Sequence, residues 1–381
     1  MTVGPPHIYV KEGKKRGISE EIIKNALIIS NISQKYGIPS ILTLKHLAHL
    51  TNTEYRYLRQ IVERKRDPYH VFQISKRNGG KRIICVPDLT LMIVQKWLFK
   101  NVLSKIKPHY RSFAYSPGSS ILLCAQEHCG CDWLIKIDIR RFFESITEIK
   151  VYELFLSIGY QSLIAFELAR ICTRLSIPTI KKSTKWICNL SKDYQISSYQ
   201  SRYLGHVPQG APTSPMIANL VSRILDEKIH EVADNEGFVY TRYADDLMFS
   251  SINANCNRKK ATNFIRRIYH ILRKNKYEPH TAKTVIAPPG SRKLVLGLLV
   301  DREKPRLTKN FKNNLKRHIW GVNRFGLINH LRYRNFQSIW GFKRHIEGLI
   351  AYAMMVEPNF ANPLVKSFHE SVQKSGFQQP D

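Results

Sequence analysis

Two acidic side chains, Asp245 and Asp246, stand side by side in the stretch from Phe238 to Ser250, which reads Phe-Val-Tyr-Thr-Arg-Tyr-Ala-Asp-Asp-Leu-Met-Phe-Ser. Aromatic and β-branched residues on both sides suit pleated strands, so the acidic pair falls where the chain reverses. Adjacent anions repel, and a divalent cation in front of them relieves the repulsion, because Mg²⁺ takes hard oxygen ligands. A solvated acidic turn is the competing reading, since Asp favours turns for local reasons. A third acid bears on the choice. Asp138 lies near the end of the strand-like run Trp-Leu-Ile-Lys-Ile-Asp-Ile, residues 133 to 139. A carboxylate in an apolar strand has to be hydrogen-bonded, paired or metal-bound, because an isolated buried charge costs on the order of several kcal/mol. Arg140 or Arg141 offers a structural ion pair, but that leaves Asp245 and Asp246 unexplained. The three acids together favour a metal site.

The elements that position these acids read as a mixed α+β chain. Residues 1 to 18 are rich in Pro, Gly and Lys and suggest a frayed end, after which Ser19 with Glu20 and Glu21 gives a helix start. Helices follow over Leu42 to Leu50 and over Glu54 to Lys65, the latter opened by Asn52-Thr53. Val71 to Ile74 and Arg82 to Val86 flank Lys76-Arg77-Asn78-Gly79-Gly80-Lys81, a cationic β-hairpin in which phosphate contact and a plain solvated turn both remain open. Residues 91 to 107 have helical period. Phe113 to Ile121 has loop chemistry, and its aromatic pair, Phe113 and Tyr115, is expected in the core rather than on a template base. Cys124, His128, Cys129 and Cys131 lack a second ligand pair at finger-like spacing, so no zinc site is expected.

Residues 151 to 175 read as one amphipathic helix, and Pro178 to Tyr203 as a polar connection carrying Lys181, Lys182, Lys185, Lys192 and Arg202. Pro208 to Pro215 is a rigid loop leading into a helix from Met216 to about Val232, with Ser214 as N-cap and Pro215 in the first turn. The positive helix terminus suits an anionic ligand, and Gln209 beside Gly210 could set an amide against a base or sugar; a plain capped helix is the alternative. Beyond the acidic hairpin come a basic helix over Arg258 to Asn275, a strand over Leu294 to Val300 in which Gly297 hints at close backbone approach, and two helical patterns, Arg306 to Trp320 and Phe336 to Met355.

Sixty Lys and Arg against 29 Asp and Glu give a formal charge of +31, spread along all 381 residues. That is the footprint of a polyanion binder, and nucleic acid suits it better than a membrane surface, which calls for cations on one amphipathic face. No run of about eighteen apolar residues occurs, and the first residues lack a secretory apolar core. Seven scattered cysteines fit reduced thiols, so the cytoplasm is the expected compartment, with no membrane partner.

Taken in order, Asp138 with Phe142-Phe143, Pro208-Gln209-Gly210, Tyr243-Ala244-Asp245-Asp246, Lys283-Thr284 and Leu296-Gly297 resemble the motifs of reverse transcriptases, over roughly Leu42 to Met355. The resemblance is closest to bacterial retron-type enzymes and the related reverse transcriptases of phage defence. It implies a right-hand polymerase fold: a basic helical N-terminal extension over 1–65, fingers and palm over 66–300, and a helical thumb and tail over 301–381. It implies that Asp138, Asp245 and Asp246 are catalytic and hold two Mg²⁺ ions, with Mn²⁺ as an alternative and the Ile139 carbonyl assisting. By the same resemblance, one ion activates the primer 3′-hydroxyl and the other holds the nucleotide phosphates through an in-line displacement. Phe143 takes the position whose ring blocks a ribose 2′-hydroxyl, so dNTPs are the implied substrates. Gln209 would contact the nucleotide or template, Lys81 or Arg82 its phosphates, and Lys283 would be the cation near the leaving group. Tyr243 and Gly297 would lie along the primer and template.

Some positions depart from the retron pattern. Cys124-Ala125 precedes Gln126-Glu127-His128 where retrons usually carry Asn-Ala, Val295-Leu296-Gly297 replaces Val-Thr-Gly, and His280 replaces an Asn. The expected function is therefore an RNA-directed DNA polymerase that copies a dedicated non-coding RNA into DNA in antiviral defence, with an effector or neighbouring-gene protein as a further partner. A retron enzyme making branched RNA-DNA is the alternative. RNA synthesis on an RNA template and a catalytically idle RNA-binding module stay open, and a group II intron maturase is disfavoured by the short stretch beyond Glu357.

Overall fold

A computed structural model gives the architecture and describes residues 6–21, 23, 24, 27, 37–75, 79–175, 204–252 and 256–374. Lys76-Arg77-Asn78 of the cationic turn and the basic connection with Lys181, Lys182, Lys185, Lys192 and Arg202 lie outside the described residues.

Where composition suggests a frayed end, Pro6–Lys15 form a helix, α1, with Lys14 and Lys15 in its last turn. Pro is preorganised for a first turn and cations suit the negative end, which outweighs the local loop bias. Helix α2 (Leu44–Leu50) starts at Thr43, whose hydroxyl accepts from the His46 amide. Helix α3 (Tyr55–Val62) is entered through Glu54, not through an Asn52-Thr53 cap: Asn52 sits at φ 49 and the Thr53 hydroxyl bonds that of Thr51. Strands β1 (Tyr69–Ser75) and β2 (Lys81–Pro87) pair antiparallel, Ser75 opposite Lys81. Helices α4 (Leu89–Asn101) and α5 (Ile121–Gln126) are capped by Asp88 and Ser120 and lead to β3 (Trp133–Arg140).

The single helix expected over 151–175 is two, α6 (Glu148–Ser157) and α7 (Ser162–Cys172), because Gly159 turns the chain at φ 98. The helix expected from Met216 is also two, α8 (Ser214–Val221) and α9 (Arg223–Asn235). Thr213 rather than Ser214 stands at the N-cap position of α8, and Ser214 is already helical. Next come β4 (Val239–Tyr243), β5 (Asp246–Ser251), α10 (Arg258–Lys274), β6 (Glu278–Pro279) and β7 (Val285–Ala287). The expected strand over Leu294 to Val300 is a small hairpin, β8 (Leu294–Val295) and β9 (Leu298–Leu299). Leu296 and Gly297 at φ 48 and 88 form its two-residue turn, since positive φ at both positions is what such a turn requires. Four helices close the described chain, where the sequence pattern suggests two: α11 (Lys309–Phe325), α12 (Leu327–Tyr333), α13 (Ile339–Val356) and α14 (Pro358–Lys374).

The central sheet runs β4-β5-β3-β6, with β7 also on β3, every pair antiparallel. Its two faces follow from a period of two. Ile135, Ile137 and Ile139 of β3 and Leu247 and Phe249 of β5 enter one core with α2, α3, α4, α6 and α7. Residues 38–62 are therefore packed into the same core as the sheet. Leu134 and Met248 point the other way, into a second core with α11, α13 and α14. Asp138 and Asp246 share the alternation of Leu134 and Met248, so they sit on the face that the C-terminal helices flank. No helix among the described residues is long and apolar enough to cross a membrane.

Candidate active site

Strand pairing brings the acids together. Asp138 of β3 lies directly across from Asp246 of β5, and Tyr243 across from Asp246 closes the β4–β5 turn of Ala244 and Asp245. The Ile139 amide donates to the Asp245 carbonyl at 2.9 Å, which fixes the turn against β3. The His280 amide donates to the Asp138 carbonyl at 2.7 Å, so the segment after β6 is fixed to the same strand.

Burial raises the Asp245 carboxyl above its usual range, and Asp138 adds to the effect. Asp246 is pushed up to about 6, by burial first and then by Asp245 and Asp138. Together with Asp138, these two carboxylates form a donor set of the hard-oxygen kind that Mg²⁺ takes. Among the described residues, though, no group of three or more His, Cys, Asp or Glu is gathered closely enough to hold a metal ion. Asp138 Oδ2 is instead paired with Lys283 Nζ at 2.8 Å. The anticipated partners Arg140 and Arg141 do not supply this pair: Arg140 bonds Glu278 at 3.2 Å. Residue types and register fit a divalent ion, and Asp138 would have to share its oxygen with it.

The other candidate residues fall into two groups. Arg82, at the start of β2, lies within electrostatic reach of Asp245, with exposed Lys81 beside it. The Gln209 carbonyl accepts from the Cys85 amide at 2.7 Å, so the 208–215 loop is tied to the β1–β2 hairpin. Phe143 packs edge-on against Phe142, ring centroids 5.7 Å apart, and Phe142 is buried. Tyr243 is half-buried against the second core, and Gly297 belongs to the β8–β9 turn. Of these last two, Tyr243 meets the acids through its pairing with Asp246.

Two features escape the sequence reading. Tyr115, expected in the core, is 47% exposed at φ 57, and Asp245 and Arg82 both act on its hydroxyl. The second is Arg242, fully buried on β4. Its Nε and Nη2 donate to Asp226 of α9 at 2.7 Å each, Nη2 to Ser112 at 3.0 Å, and Nη1 to Asn219 and the Ala244 carbonyl at 3.2 Å each. It thereby braces the acidic turn, where Ala244 lies at φ 56, a conformation glycine adopts more readily. The signal was present: an Arg in an apolar strand needs a partner for the same reason as Asp138. His128 is buried and neutral, its pKa down to about 3 by burial, and its two ring nitrogens bond Ser250 and Thr241 at 2.7 Å. It fastens β4 and β5 to the segment after α5.

The family described as reverse transcriptase (RNA-dependent DNA polymerase) matches residues 74–298, more than half of the chain. The chain belongs to the reverse transcriptase family. This reverse transcriptase is similar to the retron Ec86 reverse transcriptase of Escherichia coli, 29% identical over 339 residues, which cover 87% of this chain and 95% of that protein. It is 31% identical over 239 residues to the retron Mx162 reverse transcriptase of Myxococcus xanthus, covering 61% of this chain and 47% of that one. Among solved structures, telomerase from Candida albicans in complex with a fragment of telomeric RNA aligns with 82% of this chain and 64% of its own, at 12% identity and a TM-score of 0.38. The enzyme is a retron-type, RNA-directed DNA polymerase, of a family that works with divalent metal ions on an RNA template to make DNA.

Proposed function

We propose that this reverse transcriptase copies a dedicated non-coding RNA into DNA by two-metal nucleotidyl transfer, in antiviral defence and in the cytoplasm. The observation that carries the catalytic part is the register of β3 on β5, which sets Asp138 against Asp246 with Asp245 in the adjoining turn. Asp138, Asp245 and Asp246 are the metal-binding acids in this reading, with the Ile139 carbonyl as a further ligand. Mg²⁺ bound there would supply activation of the primer 3′-hydroxyl and charge stabilisation on the nucleotide phosphates. The chain's own residues do the rest. Arg82 and Lys81 attract the triphosphate, Gln209 meets the nucleotide or template, Phe143 excludes a ribose 2′-hydroxyl, Lys283 stands by the leaving group, and Tyr243 and Gly297 follow primer and template. Residues 1–65, 66–300 and 301–381 act as N-terminal extension, fingers with palm, and thumb.

The basic composition supports a nucleic-acid partner held along much of the chain. Purification from the native host with its neighbouring genes, followed by sequencing of bound RNA and DNA beside an Asp245→Asn control, tests the whole reading. DNA complementary to one abundant bound RNA, absent from the control, is expected. Release of that DNA by a debranching enzyme would point to a branched RNA-DNA product, and bound RNA without acid-dependent DNA would overturn the catalytic reading. An effector protein would co-purify with the same complex.

A further inference from the structure

A cavity of about 570 Å³ opens between α11 and α12 of the C-terminal helices, and none of the residues assigned to the acidic site lines it. Trp320, Phe325, Tyr333, His330, Arg317 and Arg334 line it. Its size lies within the range of pockets that enclose a small organic ligand, on the order of 300–1,000 Å³. The rim is aromatic and exposed: Trp320 is 61% and Tyr333 79% accessible among the described residues.

The floor is built by a missing side chain. A Cβ on Gly321 would lie 2.4 Å from the His330 ring, so only glycine lets α12 bring His330 down onto α11. His330 Nε2 meets His318 Nδ1 at 3.3 Å, and Arg334 Nη2 approaches His318 Nε2 at 3.5 Å. Burial, aided by the nearby arginines, pushes the pKa of His318 down to about 4 and lowers that of His330. Both rings are therefore neutral at physiological pH. The tautomer assigned from these contacts has His318 Nδ1–H donating to His330, with Nε2 left to face Arg334. The charge of the pocket is that of Arg317 and Arg334. No Asp or Glu occurs from Lys304 to Ile346, against eleven Lys and Arg, so the surroundings favour an anion.

Exposed rings beside guanidinium groups match the chemistry of an aromatic base joined to a phosphate. We propose that this cavity holds an unpaired nucleotide of a single-stranded RNA, its base stacked on Trp320 and Tyr333 and its phosphate held by Arg317 and Arg334. The choice of RNA over another polyanion rests on the reading of this enzyme as an RNA-copying polymerase. A paired base keeps its faces in the duplex stack, so the pocket selects unpaired strands.

The test uses the full chain, a short fluorescent oligoadenylate, and an RNA duplex with the same number of phosphates. Trp320→Ala and Tyr333→Ala should each weaken binding of the single strand by about tenfold, and Tyr333→Phe, which keeps the stacking face, should bind as the parent does. Affinity for the duplex should stay within about twofold. Arg334→Gln should lower the salt dependence of single-strand binding by about one phosphate contact. Equal losses on single strand and duplex, a matching loss in Tyr333→Phe, or parent-like binding by both alanine variants would overturn the pocket. Free AMP that occupies the site and is not displaced by the oligonucleotide would overturn it too. If Asp245→Asn left dNTP incorporation intact while Trp320→Ala still weakened single-strand binding, the polymerase reading would fail and the pocket would stand.

Discussion

Lys283 Nζ lies 2.8 Å from Asp138 Oδ2, so the acid that opens the candidate metal site already has a cationic partner from the segment between β6 and β7. Lys283 is 57% exposed while Asp138 is mostly covered, so the lysine can swing out and the carboxylate cannot. A divalent ion arriving at Asp138 has to share or displace this ammonium. Lys283→Gln is expected to lower the Mg²⁺ concentration for half-maximal dNTP incorporation by a few-fold while reducing the maximal rate. A Mg²⁺ titration of both proteins checks this, and an unchanged midpoint would remove Lys283 from the competition.

A second prediction follows from Asp246, whose pKa of about 6 lies above its ordinary 3.8. A carboxyl raised in the folded state binds its proton more tightly there than in the unfolded chain. The contribution of this carboxyl to folding stability should therefore fall as pH rises from about 4 to about 6, and stay lowered above that, by an amount on the order of 2–3 kcal/mol. Asp246→Asn should abolish most of this fall and raise the melting temperature at pH 7 in EDTA, at the expense of incorporation. Mg²⁺ should stabilise the parent at pH 7 and not the variant. Thermal unfolding at several pH values, with and without the ion, measures all three.

The parts of the fold that could be read in the sequence are those where one local rule acts alone. The aromatic, β-branched and apolar residues of Trp133 to Ile139 and Val239 to Tyr243 give strands, and the turn at Ala244-Asp245 sets the β4–β5 register, while the pairing of Asp138 with Asp246 belongs to the long-range contact of β3 with β5. Helix breaks are hidden in the sequence where apolar periodicity continues through them, as at Gly159 and Ser222. The apolar run makes Leu296-Gly297 read as strand interior, because it does not reveal that both residues have positive φ. The site was legible as a set of acids, but their partners were not. Arg242 with Asp226 and Lys283 with Asp138 join residues 16 and 145 positions apart, and no spacing rule reaches that far. Ring type alone points Tyr115 to the core, whereas it is 47% exposed, with Asp245 and Arg82 near its hydroxyl.

Gly210 carries a third prediction. It lies at φ 114, and a Cβ there would stand 2.9 Å from the Cys85 carbonyl oxygen and 3.0 Å from Ile84 Cγ2. The clash is with strand backbone, which cannot turn aside as a side-chain tip can. Gly210→Ala should push the 208–215 loop off the β1–β2 hairpin and weaken the bond from the Cys85 amide to Gln209. An increase in dNTP KM of about tenfold or more is expected, with a stability loss on the order of 1–3 kcal/mol. Steady-state kinetics beside a denaturation curve separates the two effects, and parent-like kinetics would show that the loop does not need this contact.

The buried Arg242–Asp226 pair allows stability and positioning to be told apart. Removing either partner leaves an uncompensated charge in the core, so Arg242→Met and Asp226→Leu should each cost on the order of 3–5 kcal/mol. The double variant leaves no buried charge unpaired and should recover much of that loss, since a well-packed apolar pair often equals an ion pair in stability. Activity should not recover with it. Arg242 also donates to the Ala244 carbonyl, and methionine cannot hold that turn or the Asp245 it carries. Denaturation and dNTP incorporation measured on all four proteins of the cycle therefore have different expected outcomes. If incorporation returned to the parent level in the double variant, Arg242 would be a structural residue only, and the acidic turn would be held by the Ile139–Asp245 hydrogen bond without it.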